Sequence, residues 1–268
     1  MHNISVVIPT YNRAQYIEKA VRSVLEQKGQ GETFCIVEIL IIDDGSTDNS
    51  EEIINRIGSS LIVYHRLPCN KGAIEAWNTG IGMAKGEWIA FQDSDDRWHE
   101  DKLEKQVKYA NEHKDVSLIT HPFKAFFSDG STMVTRVVSE DDMVKELAIS
   151  NFIGTPTMLV KKEAILNLGG FKKDISALQD WDFVIRLADK YRIGMIEDVL
   201  LDVDMTVEGM SKDASKYYES RCRIIAENKD IFIKNSCFDD AVRSILLHAE
   251  NNGVLEQAGR MLELYLSK

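Results

Sequence analysis

Proline and cysteine are scarce, with four of each among 268 residues, and glycine numbers only 16. Collagen-like, low-complexity and disordered character are excluded on that ground. Cys35, Cys69, Cys222 and Cys237 are scattered without a CxxC pair. That argues against a disulfide frame or a zinc site and for reduced, mostly buried thiols of a cytoplasmic protein. No run of about 18 apolar residues occurs, so no membrane-spanning helix is expected. The opening residues show neither a basic n-region nor an apolar h-region, so no signal peptide is expected either. HExxH, GxSxG and GxxxxGKS/T are all missing, which removes zincins, α/β-hydrolases and P-loop NTPases. Positive charge is in deficit, 32 Lys and Arg against 43 Asp and Glu, for a net charge of −11. Such a chain is poorly suited to wrapping nucleic acid. An anionic substrate would need a cation to help.

What is present is a globular balance, 44% hydrophobic and 28% charged, enough for one large core with an appendage. Residues 4–8 are a β-branched apolar run ended by Pro9 and predict a buried strand. Ile17, Ala20, Val21, Val24 and Leu25 recur at helical spacing and predict a helix over 14–27. A second strand is predicted over 37–42, stopped by Asp43-Asp44-Gly45-Ser46, then a helix carrying Ile53, Ile54 and Ile57. A strand over 61–64, a helix over 72–84 and a strand over 88–91 follow. Gly80, Gly82 and Gly86 lie in or after that helix and precede a strand, so they are no dinucleotide-binding fingerprint. This alternation predicts an α/β fold with a Rossmann-like, mainly parallel sheet and helices on both faces. Ligands then sit beyond the carboxyl ends of the strands, at residues 9–12, 43–46 and 92–96. Two of these three segments are carboxylate clusters.

After residue 115 the pattern changes. A hairpin is predicted from 123–127 and 132–138 around Ser128-Asp129-Gly130-Ser131, then a strand over 157–160 and a helix over 180–190. From about Asp213 onward the periodicity is helical. That tail has nearly balanced charge, which gives little electrostatic reason for more than peripheral membrane contact.

Six short motifs, in this order, carry a resemblance. They are Val6-Val7-Ile8-Pro9-Thr10-Tyr11-Asn12-Arg13; Ile42-Asp43-Asp44-Gly45-Ser46-Thr47-Asp48; Asn70-Lys71-Gly72 with Asn78-Thr79-Gly80 and Lys85-Gly86-Glu87; Asp93-Ser94-Asp95-Asp96-Arg97-Trp98 with Asp101-Lys102-Leu103; Gly169-Gly170-Phe171; and Gln179-Asp180-Trp181-Asp182. Over roughly residues 3 to 211 the chain resembles the family 2 glycosyltransferases, which have the GT-A fold. The resemblance implies a GT-A domain over 1–211, with a nucleotide-sugar half at 1–115 and an acceptor half at 116–211. Residues 212–268 form a helical C-terminal appendage that resembles nothing named.

From spacing alone, Asp93 and Asp95 bring two carboxylates to one point at a strand end, where they could hold a hard cation or simply cap a turn. The resemblance makes them metal ligands for Mn²⁺ or Mg²⁺, with Asp96 orienting the loop. It implies that Asp44 contacts the base or ribose of the donor, Tyr11 stacks near the base, and Pro9 gives backbone contacts. Lys71, Asn78, Asp93 and Ser94 complete the donor set, and Asp48 is read as a helix cap. Asp180 is implied as the catalytic base and is favoured over Asp182; Gln179 stands where the family usually has Glu. Trp77 replaces a frequent Arg, so a phosphate contact there is lost or replaced. Segment 203–211 lacks the late His of the family, so either Glu208 or water completes the metal shell or this loop closes differently. Trp98, Phe171 and Trp181 could each offer a sugar an apolar face or pack in the core.

The implied function is inverting, metal-dependent transfer of a sugar from a nucleoside diphosphate donor to an acceptor hydroxyl. Uridine diphosphate is favoured only as the family's commonest donor nucleotide. The implied acceptor is a glycan or lipid-linked glycan of the cell surface, met at the inner membrane face. A sugar nucleotidyltransferase would need a Gly-rich loop after the first strand, and residues 9–13 contain no glycine. An inactive binding module would have no use for Asp93, Asp95 and Asp180 together.

Overall fold

The computed structural model describes residues 1–206 and 214–267. β1 (His2–Thr10) buries Ile4, Val6, Val7 and Ile8 completely. A strand buried on both faces must be covered on both, and the following elements supply that cover. They are α1 (Ile17–Leu25), β2 (Phe34–Asp43), α2 (Ser50–Ile57), β3 (Ile62–Arg66), α3 (Ala73–Met83) and β4 (Trp88–Phe91). β2 and β3 are added in parallel on one side of β1, and β4 pairs in parallel on the other. Alternate side chains separate two cores. Val6, Ile8, Ile39 and Ile41 meet α1 and α2, whereas Val7, Leu40, Ile42 and Phe91 meet α3. The predicted mainly parallel sheet with helices on both faces is therefore present.

The second half adds β5 (Arg97–Trp98), α4 (Lys102–Glu112), β6 (Val116–Thr120), β7 (Lys124–Phe126), β8 (Thr132–Val134) and α5 (Met143–Ile149). It continues with β9 (Leu159–Lys161), α6 (Lys162–Asn167), α7 (Gln179–Ala188), β10 (Arg192–Met195) and β11 (Leu201–Asp204). The main sheet runs β10-β6-β9-β4-β1-β2-β3, with β9 antiparallel to both neighbours. A smaller sheet, β5-β11-β7-β8, stands beside it.

The strand predicted over 157–160 begins late. Thr155–Thr157 is a 3-10 turn with Pro156 in its first positions, and the Thr157 hydroxyl donates to the Gly154 carbonyl at 2.7 Å. Proline cannot donate to a sheet ladder. The hairpin forms as predicted, but its second strand stops at Val134.

The helical tail is four helices, α8 (Ala214–Glu227), α9 (Lys229–Lys234), α10 (Phe238–Asn251) and α11 (Leu255–Leu266). Cys222, Ile225, Phe232 and Ile245 share one core with Leu147 of α5 and Trp181 of α7. Arg221 donates to the Ile149 carbonyl at 2.8 Å. The boundary proposed at 211–212, and Asp213, lie outside the described residues. All four cysteines are free, two of them buried. Among the described residues no helix is long and apolar enough to cross a membrane.

Two local features carry predictions. Gly86 turns the chain from α3 into β4, its N–H donating to Ser5 Oγ at 2.8 Å. A Cβ there would meet Ser5 N at 2.4 Å and Ile4 C at 2.8 Å, both backbone. Gly86→Ala must shift β1 or β4 and should cost about 1–3 kcal/mol, read as a lower urea midpoint with the slope unchanged. Glu140 starts the 3-10 turn ahead of α5 and accepts from Tyr109, from Arg192 (2.8 and 3.1 Å) and from the Met195 N–H (3.2 Å). Burial pulls its carboxyl upward, yet these bonds hold it below the usual carboxylate range. A depressed folded pKa stabilises above the unfolded value, about 4.3, and that stabilisation is lost as pH falls through the folded value. The stability gap between wild type and Glu140→Gln should thus be largest at neutral pH and close on acidification.

Candidate active site

The sheet reverses its order of addition at β1 and β4, the switch point beyond whose carboxyl ends open α/β sheets bind ligands. The segment after β1 lies there. Asn12 sits in the left-handed region at φ +51°, which asparagine tolerates better than most residues. Its N–H donates to Ser46 Oγ at 2.9 Å and its Oδ1 accepts from the Thr47 N–H at 2.8 Å, stitching together the loops after β1 and β2. Asp48 accepts from the Ala14 and Ser50 N–H groups, each at 3.0 Å, and from the Ser50 hydroxyl at 2.6 Å. Burial opposes these bonds, but they hold its carboxyl low, and the residue braces the start of α2. Pro9 lies opposite Ile42 in the ladder. Tyr11 follows β1 and is 42% exposed.

The two aspartates ending β2 do different work. Asp43 is fully buried and accepts from the Ser46 N–H at 2.8 Å and from the Tyr64 hydroxyl. Asp44 is 3% exposed, and its two oxygens accept from the Lys71 and Gly72 N–H groups, each at 2.7 Å. It thereby fixes the loop that leads into α3, with the Lys71 side chain outside in solvent.

Beyond β4 come Asp93, Ser94, Asp95 and Asp96. Burial, then the charges of Asp95 and Asp180, push Asp93 up to about 7. Arg13 Nε lies 3.4 Å from Asp95. Ser94 is buried. Asp96 is driven well above the carboxylate range by burial and by Asp93 and Asp95, while the Asp204 N–H of β11 opposes that. Its carbonyl accepts from Gln92 at 2.9 Å, so both ends of Asp96 hold the loop. Asp93 and Asp95 offer only oxygen atoms and surplus negative charge, a donor set that suits a hard cation such as Mn²⁺ or Mg²⁺. Among the described residues no three His, Cys, Asp or Glu side chains are placed to grip a metal alone. Donor phosphates and water would supply the remaining positions. Glu208 lies outside the described residues.

Asp180 stands in the first turn of α7, after Leu178 at φ +59°. Its Oδ1 accepts from the Trp181 N–H at 2.8 Å and from Asn151 Nδ2 at 3.1 Å. Burial raises its carboxyl above the usual range, and these bonds, with one from the Thr155 N–H, work against that. Because its charge acts on Asp93, the carboxylates of α7 and of the loop after β4 share one electrostatic site.

Asp182 belongs to the scaffold. It is fully buried and meets Arg186 at 2.7 Å, Lys172 at 3.1 Å and Asn228 at 3.1 Å. Arg186 also donates to the Leu168 and Gly170 carbonyls at 2.8 and 2.9 Å. Asn78 clamps the same loop, donating to the Phe171 carbonyl at 2.8 Å and accepting from its N–H at 3.0 Å.

The choice left open for Trp98, Phe171 and Trp181, between a sugar face and the core, falls to the core, where all three are buried. Trp181 donates to the Leu147 carbonyl at 2.8 Å, and Trp98 lies under the Lys102 ammonium at 4.1 Å. Trp77 is also core, edge-on to Phe91 at 5.2 Å. Arg13 and Asn151 join the site without a sequence expectation. Arg13 ends the first motif, at Val6-Val7-Ile8-Pro9-Thr10-Tyr11-Asn12-Arg13, and that position is a signal for it. Asn151, 29 residues before Asp180, carries no local signal.

The description "Glycosyl transferase family 2" fits a family model over residues 5–167. Among curated relatives, the putative teichuronic acid biosynthesis glycosyltransferase TuaG of Bacillus subtilis is 33% identical over 60% of this chain and 62% of its own. The Escherichia coli enzyme WfaP, named UDP-Glc:alpha-D-GlcNAc-diphosphoundecaprenol beta-1,3-glucosyltransferase, is 30% identical over 63% of this chain and 64% of its own. The matches thus span about three fifths of those relatives' length. In three dimensions the chain superposes on S. aureus TarS 1-349 in complex with UDP-GlcNAc with a TM-score of 0.72 at 21% identity, covering 92% of this chain and 73% of that one. It also superposes on the mannosyltransferase PcManGT of Pyrobaculum calidifontis in complex with GDP-Man and Mn²⁺, with a TM-score of 0.64 at 21% identity, covering 98% and 75%.

Proposed function

This chain belongs to glycosyl transferase family 2, and from that premise we propose an inverting, metal-dependent transferase that moves a sugar from a UDP-sugar to an acceptor hydroxyl. What supports the reading is that burial and the charges of Asp95 and Asp180 act together on Asp93, in the loop after β4 where Arg13 Nε lies 3.4 Å from Asp95. The Tyr11 ring lies against the base, while Asp44 shapes the donor pocket through the loop at Lys71. Asn78 fixes the loop at Gly170-Phe171 through one bond at each end of its amide, which leaves its second N–H and lone pair for the donor. Asp93 and Asp95 hold the cation, which when bound neutralises the diphosphate as negative charge develops on it.

Asp180 takes the proton of the acceptor hydroxyl as that oxygen attacks the anomeric carbon. The new C–O bond forms opposite the breaking one, and the diphosphate leaves with the electron pair. A carboxylate held above its usual range is the stronger base for this step. The uridine donor draws on the printed names of TarS complexes and of WfaP. The names of WfaP and TuaG support a cell-surface glycan acceptor on a lipid carrier at the inner membrane face.

Asp95→Ala tests the metal reading. Binding of UDP in the presence of Mn²⁺ should fall to the metal-free level. Unchanged metal-dependent binding would remove Asp95 from the site.

A further inference from the structure

We propose that the outward face of α10 is a self-association surface, and that its occupant is α10 of a second copy of this chain, packed antiparallel across a two-fold axis. α10 uses Ala241, Ile245 and Ala249 to pack on its own core. Its opposite side, with Asp239, Val242, Arg243, Leu246, Leu247 and Glu250, lines a groove closed at one end by Leu255 of α11. Leu247 is 53% exposed and Leu255 43% exposed. These positions fall on one stripe of a helix with 3.6 residues per turn.

Between Arg243 and Glu250 the stripe is self-complementary in charge, with Asp239 outside that span. Leu246 and Leu247 stand at its centre, with Arg243 three residues before the pair and Glu250 three residues after it. In an antiparallel two-fold pair a residue before the centre meets the residue equally far beyond it on the other copy, and every contact occurs twice. Leu246 then meets Leu247, and Arg243 meets Glu250, at both ends of an apolar centre. Within the chain neither Arg243 nor Glu250 has an ion-pair partner among the described residues. Elsewhere on the C-terminal helices Arg223 pairs with Glu227 and Arg260 with Glu256. A polar rim of matched charge around an apolar centre is the anatomy of a protein–protein contact. The inference is independent of sugar transfer.

Sedimentation velocity on the full chain over a concentration series tests it. Wild type should pass from monomer to dimer as concentration rises. Leu247→Asp, at a half-exposed position, should sediment as a monomer with its circular dichroism and melting temperature unchanged. Arg243→Glu and Glu250→Arg should each weaken the dimer about tenfold or more, since two symmetry-related pairs turn repulsive. The double variant R243E/E250R should recover wild-type association. A monomer at every concentration would overturn the proposal. So would a dimer indifferent to Leu247→Asp, or charge reversals that the double variant fails to rescue.

Discussion

Asp180→Asn should lower sugar transfer by about 10²- to 10⁴-fold, the usual worth of a positioned proton acceptor. The affinity for donor nucleotide should stay nearly constant. Asparagine keeps an Oδ1 that can accept from Asn151 and from the Trp181 N–H, as Asp180 does, so the start of α7 stays in place while the basic oxygen is gone. Transfer rates and nucleotide binding measured on one preparation distinguish the outcomes. A variant that loses nucleotide binding in proportion to transfer would make Asp180 part of the donor pocket and leave the base unidentified.

The second large effect lies two residues away and is of a different kind. Asp182→Ala should destabilise the fold by roughly 3–5 kcal/mol, because it strands a buried cation rather than removing a whole pair. Arg186, largely buried, would lose its 2.7 Å partner, while Lys172 would keep only Glu227 and Asn228 only the Ile224 carbonyl. The loss would reach the loop at Leu168–Gly170, which Arg186 holds, and the junction of α7 with the C-terminal helices. Urea denaturation measures it directly. A stability change below about 1 kcal/mol would show that solvent replaces the partners and that Asp182 is no hub.

These two aspartates also mark how far the sequence could be read. Both lie in Gln179-Asp180-Trp181-Asp182, and motif order ranked Asp180 first. The partners that separate their roles, Asn151 for one and Asn228 for the other, are 29 and 46 residues away. No local pattern reports a pairing across such distances. The alternation through β4 was legible because its buried strands are short apolar runs ended by turn formers, and because both faces of the sheet are apolar. β9 was legible as a strand, but its antiparallel place between β4 and β6 is a choice of partner rather than a property of Leu159 and Val160. The tail read as one helical stretch because apolar periodicity continues through breaks, such as Ser236 at φ +56°. Trp98, Phe171 and Trp181 show a similar limit. An aromatic beside a motif looks the same whether it faces the site or the core, and only burial distinguishes them.

The central claim is that this site takes a nucleoside diphosphate through a cation held by Asp93 and Asp95. Calorimetric titration with uridine, guanosine, thymidine and cytidine diphosphates, each with and without Mn²⁺, tests that most directly. The account predicts that uridine diphosphate binds tightly only when Mn²⁺ is present, that Asp180→Asn preserves this binding, and that Asp95→Ala abolishes it. Binding by none of the four, or binding indifferent to the metal, would contradict it.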